Sequence, residues 1–312
     1  MHSPRDLVAT HQRGVPVRSS RPGTTSFGSS TLDNFEDTVE IVNPKFHRYA
    51  VLVVISSLIL IAMGAYITSQ ASGRQPVSRG VLDAVVHKDV AVAVGILALG
   101  LVVWQLLEAG ERLPGWIALG FFAFEGWIGW LGAPLLHASL APLAFAIFVA
   151  IAVVTSSGWN EAPELVEDQA AATLRLFAIA MPALMLLQIM LGAAYRHKLT
   201  GVMPHLGGAM IVSLATLVLG MLVVRRHPEH RKLRAAAIWL ISIFLVQVML
   251  GFAAFIIPLL KLASPAPVIA VTASHVVVGS LTLAASLVLA MQVQRNVREP
   301  ERRKESADPS SA

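Results

Sequence analysis

Long apolar segments separated by short polar loops make up most of the chain between residues 48 and 293. A helix that crosses the apolar part of a bilayer needs about 20 consecutive, mostly apolar residues. Eight segments come close to this length: 48–68, 86–107, 114–131, 136–155, 174–195, 204–224, 235–257 and 268–293. The pattern therefore predicts an all-α, polytopic membrane protein with eight transmembrane helices.

The two halves of this pattern resemble one another, which predicts two similar four-helix bundles. The first span ends in Gly64-Ala65-Tyr66, and the fifth ends in a similar Gly-Ala-Ala-Tyr run that closes at Tyr195. We therefore divide the chain into five parts. They are a disordered tail (1–46), an N-terminal bundle (47–156), a polar, acidic connector (157–173), a C-terminal bundle (174–293) and a charged tail (294–312).

The distribution of charged residues predicts the orientation of the chain in the membrane. Only 14% of the residues are charged, against about 25% in soluble domains. Basic residues cluster between the sixth and seventh spans and after the eighth, which predicts that both segments are cytoplasmic. With eight spans the N-terminus is then cytoplasmic too, and the expected location is the inner (plasma) membrane. Because these basic residues lie in short loops and tails, the expected partner is the lipid bilayer and not nucleic acid.

The chain contains no cysteine. This excludes disulfides, iron–sulfur clusters, thiolate-ligated haem and cysteine-based zinc sites.

Four of the ten histidines share one position in the pattern: His87, His137, His205 and His275 each lie near the start of an even-numbered span. Because these spans run in the same direction, the four imidazoles are expected at one depth, near the outer surface. Neutral imidazole is a common axial ligand of haem iron, and two helices of a bundle can hold a haem between them. The expected pairs are His87 with His137 and His205 with His275. Zinc fits less well, since no further carboxylate ligands flank these histidines.

Three other polar residues lie in or beside the apolar segments. Arg196 and His197 end the fifth span, where they either contact haem propionates or form an interfacial basic cluster, the interpretation we favour from sequence alone. Glu125 lies within the third span, where a carboxylate costs a few kcal/mol unless it is neutral or has a partner. It either contacts a proton or substrate, or is a protonated carboxyl that bonds a neighbouring helix from the position that Gln247 holds in the other half.

Several short motifs in this order resemble the haem A synthase family, whose members convert haem O to haem A for cytochrome oxidase assembly. The motifs are Phe46-His47-Arg48, Gly64-Ala65-Tyr66-Ile67-Thr68, the Gln-x-x-Leu-Gly pattern at Gln188–Gly192 and Gln247–Gly251, His205-Leu206-Gly207-Gly208 and His275-Val276-Val277-Val278-Gly279. Together they are spread over about residues 46–293.

The resemblance implies a function for each half. His87 and His137 would line the site that oxidises the C8 methyl group of haem O, with Glu125 as a further catalytic candidate. His205 and His275 would ligate the iron of a haem b, with Arg196 and His197 as further contacts. Haem O synthase and the cytochrome oxidase assembly machinery are the implied partners. The electron partner and the oligomeric state stay open, a homo-oligomer included.

The sequence also departs from the family pattern. Where the family has Glu-x-x-His-Arg, this chain has Ala84-Val85-Val86-His87-Lys88, and the outer cysteine pair of many bacterial members is absent. A non-catalytic, haem-binding assembly factor of the same fold is therefore a second hypothesis. A transporter with repeated halves is a third, ranked last because only Glu125 is a charged residue in the middle of a span.

Overall fold

The computed structural model describes residues 43–71, 77–107, 113–261 and 264–300. Most of the predicted tails, 1–46 and 294–312, lies outside the described residues. The described elements are α1 Pro44–Ala71, α2 Val77–Leu107, α3 Leu113–Trp130, α4 Pro134–Val154, α5 Ser157–Asn160, β1 Val166–Glu167, α6 Ala171–Arg196, α7 Met203–Arg226, α8 Arg231–Leu259, α9 Pro265–Asn296 and β2 Val297–Arg298.

Seven helices in the described part of the chain are long and apolar enough to cross a membrane: α1, α2, α4, α6, α7, α8 and α9. Large apolar side chains are exposed on their outer faces, as at Ile96, Met210 and Trp239, which is the surface that lipid covers in a membrane protein. The prediction of an all-α, polytopic membrane protein is therefore confirmed.

The predicted number of eight spans is one too high by the same criterion. The third predicted span corresponds to α3, which has 18 residues and is about 27 Å long at the usual helical rise. Glu125 and several glycines and tryptophans lie within this helix, and it is not among the seven. Helix α3 nevertheless runs alongside α2 and α4 from one end of the first bundle to the other, so the first residue of α1 and the last residue of α9 lie at the same end.

The helices pack as two bundles of four. In the first, α1 and α3 each contact both α2 and α4; in the second, α6 and α8 each contact both α7 and α9. This is the antiparallel arrangement that short loops favour. Helix α9 also packs against α1 and α4, and its buried face carries small residues such as Gly279, Ser280 and Ala284. Small side chains let membrane helices approach closely, so α9 joins the two bundles.

The alternation of helix direction gives the molecule two ends. We call the end where α1, α3, α6 and α8 finish and α2, α4, α7 and α9 begin the histidine end. The opposite end, which carries α5 and the two short strands, is the connector end. At the histidine end Arg196, the last residue of α6, donates to Ala65 O and Ser69 Oγ on α1, both at 2.6 Å. The two bundles are therefore linked there as well as through α9.

At the connector end, acidic residues between the bundles contact the basic residues of the C-terminal half. Lys232 Nζ lies 2.7 Å from Glu161 Oε2, and His227 Nε2 lies 3.2 Å from Asp168 Oδ2. Burial lowers the pKa of His227, against the opposing effect of Asp168. Strand β1 also pairs in parallel with β2, directly after α9. The sequence predicted a polar, acidic connector but neither these partners nor these strands.

Candidate functional site: two histidine pairs

The structure brings together both pairs of histidines that the sequence singled out. His87 on α2 faces His137 on α4, with the ring centroids 6.3 Å apart and the ring planes at 86°. His205 on α7 faces His275 on α9 at the same 6.3 Å, with an angle of 89°. Two arrangements this similar in separate bundles indicate that the internal repeat extends to the geometry of the site.

The positions of the histidines along their helices differ from the prediction in two cases. His137 and His205 lie in the first turn of α4 and α7, as expected. His87 and His275 lie ten residues after the first residues of α2 and α9, Val77 and Pro265. The polar residues before His87 continue the helix, since polarity alone does not end a helix. Each pair thus joins a residue inside one helix to a residue at the start of another.

Every histidine of the two pairs lies against a glycine of the helix that precedes it. A Cβ atom built on any of these glycines would lie 2.8–3.2 Å from the imidazole, closer than ordinary contacts allow. The four contacts are Gly64 with His87, Gly129 with His137, Gly192 with His205, and Gly251 with His275. We call each of these units, a glycine-bearing helix followed by a histidine-bearing helix, a glycine–histidine hairpin.

Two glycines of the C-terminal bundle give a direct test of this contact. A Cβ at Gly251 would lie 2.8 Å from His275 Cε1, whereas a Cβ at Gly207 would meet no atom within 4 Å. Gly251→Ala should destabilise the protein by about 1–3 kcal/mol through overpacking. Gly207→Ala should instead leave stability unchanged or raise it by up to about 1 kcal/mol, because alanine favours helix more than glycine does. Thermal unfolding in detergent measures both; equal melting temperatures for the two variants would contradict the contact.

In the C-terminal bundle, the residue four positions before each of these glycines gives the histidine its polar environment. In α6, Gln188 Nε2 donates to His205 O at 2.9 Å and lies 3.0 Å from His205 Nδ1. In α8, the backbone oxygen of Gln247 accepts from His275 Nδ1 at 3.2 Å, and the Gln247 side-chain amide lies 3.3 Å from His275 Nε2. The Gln-x-x-Leu-Gly pattern of the sequence therefore places an amide and a glycine around one imidazole.

The N-terminal bundle has different residues at the two equivalent positions. Glu125, four residues before Gly129, is only 5% exposed, and its Oε1 lies 2.5 Å from His137 Nδ1. This agrees with the interpretation that Glu125 bonds a neighbouring helix from the position that Gln247 holds in the other half. In α1 the position holds Leu60, and the buried Nδ1 of His87 has no hydrogen-bond partner among the described residues.

The ring separation in each pair leaves room for one metal atom between the two imidazoles, and the Gln247 amide lies 3.3 Å from His275 Nε2 in this structure. Metal–imidazole bonds are about 2.0 Å long, so two imidazoles on opposite sides of one metal place their ring centroids about 6 Å apart. The observed separation is 6.3 Å in both pairs. Ligating histidines also commonly donate their other ring N–H to a carboxylate or backbone carbonyl, as His137 and His275 can to Glu125 and Gln247. Among the described residues, no three or more His, Asp or Glu side chains converge on one point.

Arg196 and His197 lie at the histidine end, where Arg196 links α6 to α1. Arg196 Nη2 is bonded to α1, while Arg196 Nε and His197 Nε2 are buried without a hydrogen-bond partner in the described part of the chain. Burial, and then the charge of Arg196, lower the pKa of His197. The charge of Arg196 also acts on the His275 imidazole. Their predicted contact with haem propionates stays a prediction.

No family model matches this chain, and the search of curated proteins found no match either.

Proposed function

We propose that this chain is a haem A synthase-like membrane oxidoreductase that converts haem O to haem A by oxidation of the C8 methyl group. The observation that carries the proposal is the presence of two histidine pairs, one in each bundle, at the ring separation that a shared iron atom requires. The reaction itself is proposed from the resemblance of the sequence motifs to the haem A synthase family, since geometry alone does not distinguish one haem chemistry from another.

Each pair has its own part in this proposal. His205 and His275 would hold a haem b, which would accept the electrons released by oxidation of the methyl group and pass them to an acceptor outside this chain, with water as the source of the formyl oxygen. His87 and His137 bind the iron of the substrate haem O and so orient its methyl group. The surrounding apolar helices exclude water, and Arg196 and His197 supply positive charge and N–H donors for the propionates.

The proposed orientation places the connector end in the cytoplasm and the histidine end outside. Its support is the row of basic residues at the start of α8 and the end of α7, which include Arg225, Arg226 and Arg231. The protein then lies in the inner (plasma) membrane with both termini in the cytoplasm. Haem O synthase and the cytochrome oxidase assembly machinery are the proposed partners.

A non-catalytic haem-binding assembly factor of the same fold is the second candidate. Two observations favour it: Ala84 stands three residues before His87, where the family has glutamate, and His87 Nδ1 has no polar partner in the described structure. Such a protein would bind haem at both pairs without oxidising it.

Pigment analysis of cells that express haem O synthase with and without this chain separates the two functions. We expect haem A to accumulate only when the chain is present, and we expect the purified protein to show the absorption spectrum of low-spin, bis-histidine haem. Haem O synthase expressed alone is the control. Bound haem without haem A would favour the assembly factor, whereas purified protein without any haem would contradict both functions.

A further inference from the structure

We propose that Glu125 sets the two histidine pairs apart, by giving His137 an anionic hydrogen-bond partner that lowers the reduction potential of iron held by His87 and His137 below that of iron held by His205 and His275. This inference rests on the proposed binding of haem iron by both pairs. It assigns Glu125 as a positioning and tuning residue that acts through His137.

The two histidines being compared have similar surroundings but differ in their polar side-chain partner: Glu125 Oε1 lies by His137 Nδ1, whereas the Gln247 amide lies by His275 Nε2. His137 and His275 each lie against a glycine of the preceding helix. Each also has its Nδ1 near a backbone oxygen four residues before that glycine, at 3.4 Å from Glu125 O and 3.2 Å from Gln247 O. The fold therefore presents the same imidazole nitrogen to a carboxylate in one bundle and to a neutral carbonyl in the other.

The carboxylate is well placed to act on the pair. Glu125 Oε1 approaches His137 Nδ1 to 2.5 Å, and burial of the glutamate keeps water from screening its charge. In the C-terminal pair, the corresponding residues Gln188 and Gln247 carry no charge.

The direction of the effect follows from ligand chemistry. An imidazole that donates its N–H to a carboxylate is a more basic, more electron-donating ligand than one that donates to a carbonyl. A stronger donor stabilises ferric over ferrous iron, and hydrogen bonding behind an axial ligand is one of the means by which a protein sets haem potential. The N-terminal site should therefore have the lower midpoint potential.

Reciprocal substitutions at Glu125 and Gln247, in the full chain loaded with haem, test whether the carboxylate lowers the midpoint potential. Glu125→Gln keeps the shape of the side chain and removes the charge, so it should shift the midpoint potential of the N-terminal haem upward and bring the two potentials closer together. Gln247→Glu should shift the C-terminal potential downward. Redox titration followed by absorption and electron paramagnetic resonance spectra measures both, and a His275→Ala background assigns the N-terminal signal.

The control is Glu161→Gln at the connector end, which removes a carboxylate far from both pairs and should leave both potentials unchanged. The inference is overturned if Glu125→Gln and Gln247→Glu shift the potentials no more than this control does. If Glu125→Gln does not fold, the shift of the C-terminal midpoint potential in Gln247→Glu tests the inference by itself. If the wild-type protein binds haem and neither substitution shifts a potential, only this inference is refuted. If the wild-type protein binds no haem, the proposed function is refuted as well.

Discussion

His275→Ala should remove the C-terminal haem and leave the N-terminal one in place. The imidazole is one of two axial ligands in the proposed site, and alanine offers no replacement donor. His275 lies inside α9 and packs against Gly251, so its loss opens a space in the bundle but breaks no helix end. We expect the purified variant to lose about half of its bound haem, since the proposed sites each hold one. His205→Ala should have the same effect.

The measurement is the haem content per chain and the absorption spectrum of protein purified in detergent. His47→Ala is a suitable control, because His47 Nδ1 lies 3.4 Å from Thr155 Oγ1 at the connector end and belongs to neither pair. Full haem content in both His205→Ala and His275→Ala would show that these residues are not ligands.

His87→Ala or His137→Ala should abolish the formation of haem A while the haem b signal persists. The structure separates the two pairs into different bundles, α1–α4 and α6–α9, with no shared histidine. Loss of a ligand in the first bundle should therefore remove substrate binding without disturbing the second. Pigment extraction from cells expressing haem O synthase measures the product, which should fall to the level of cells that lack the chain.

The companion control is Lys88→Ala, which changes the exposed neighbour of His87 and should retain haem A formation. Loss of the haem b signal in His87→Ala would show that the two bundles do not act separately. Normal haem A yield in both histidine variants would place the oxidation elsewhere.

Much of the architecture could be predicted from the sequence because membrane-spanning segments have a simple signature. The long apolar runs gave the spanning helices and the alternation of their direction. That alternation alone put His87, His137, His205 and His275 at one end. Helix α3 forms where the third span was predicted and packs against α2 and α4, but with Glu125 and several glycines it is not among the seven helices apolar enough to span.

The close contacts of the site could not be predicted in the same way. The four glycines that lie against the histidines precede them by different numbers of residues, as in Gly64 with His87 and Gly129 with His137, chiefly because these residues lie at different distances from the ends of their helices. No fixed motif spacing therefore marks them. The partners of Asp168 and Glu161 at the connector end depend on how separate loops meet in space, which a single sequence does not specify.

The glycine–histidine hairpin occurs four times in the described part of the chain, and the four units differ at the position four residues before the glycine. That position holds Gln188 and Gln247 in the C-terminal bundle, and Leu60 and Glu125 in the N-terminal bundle. A single substitution there changes the polar partner of the histidine and leaves the glycine contact in place. The same backbone arrangement can therefore carry sites of different polarity.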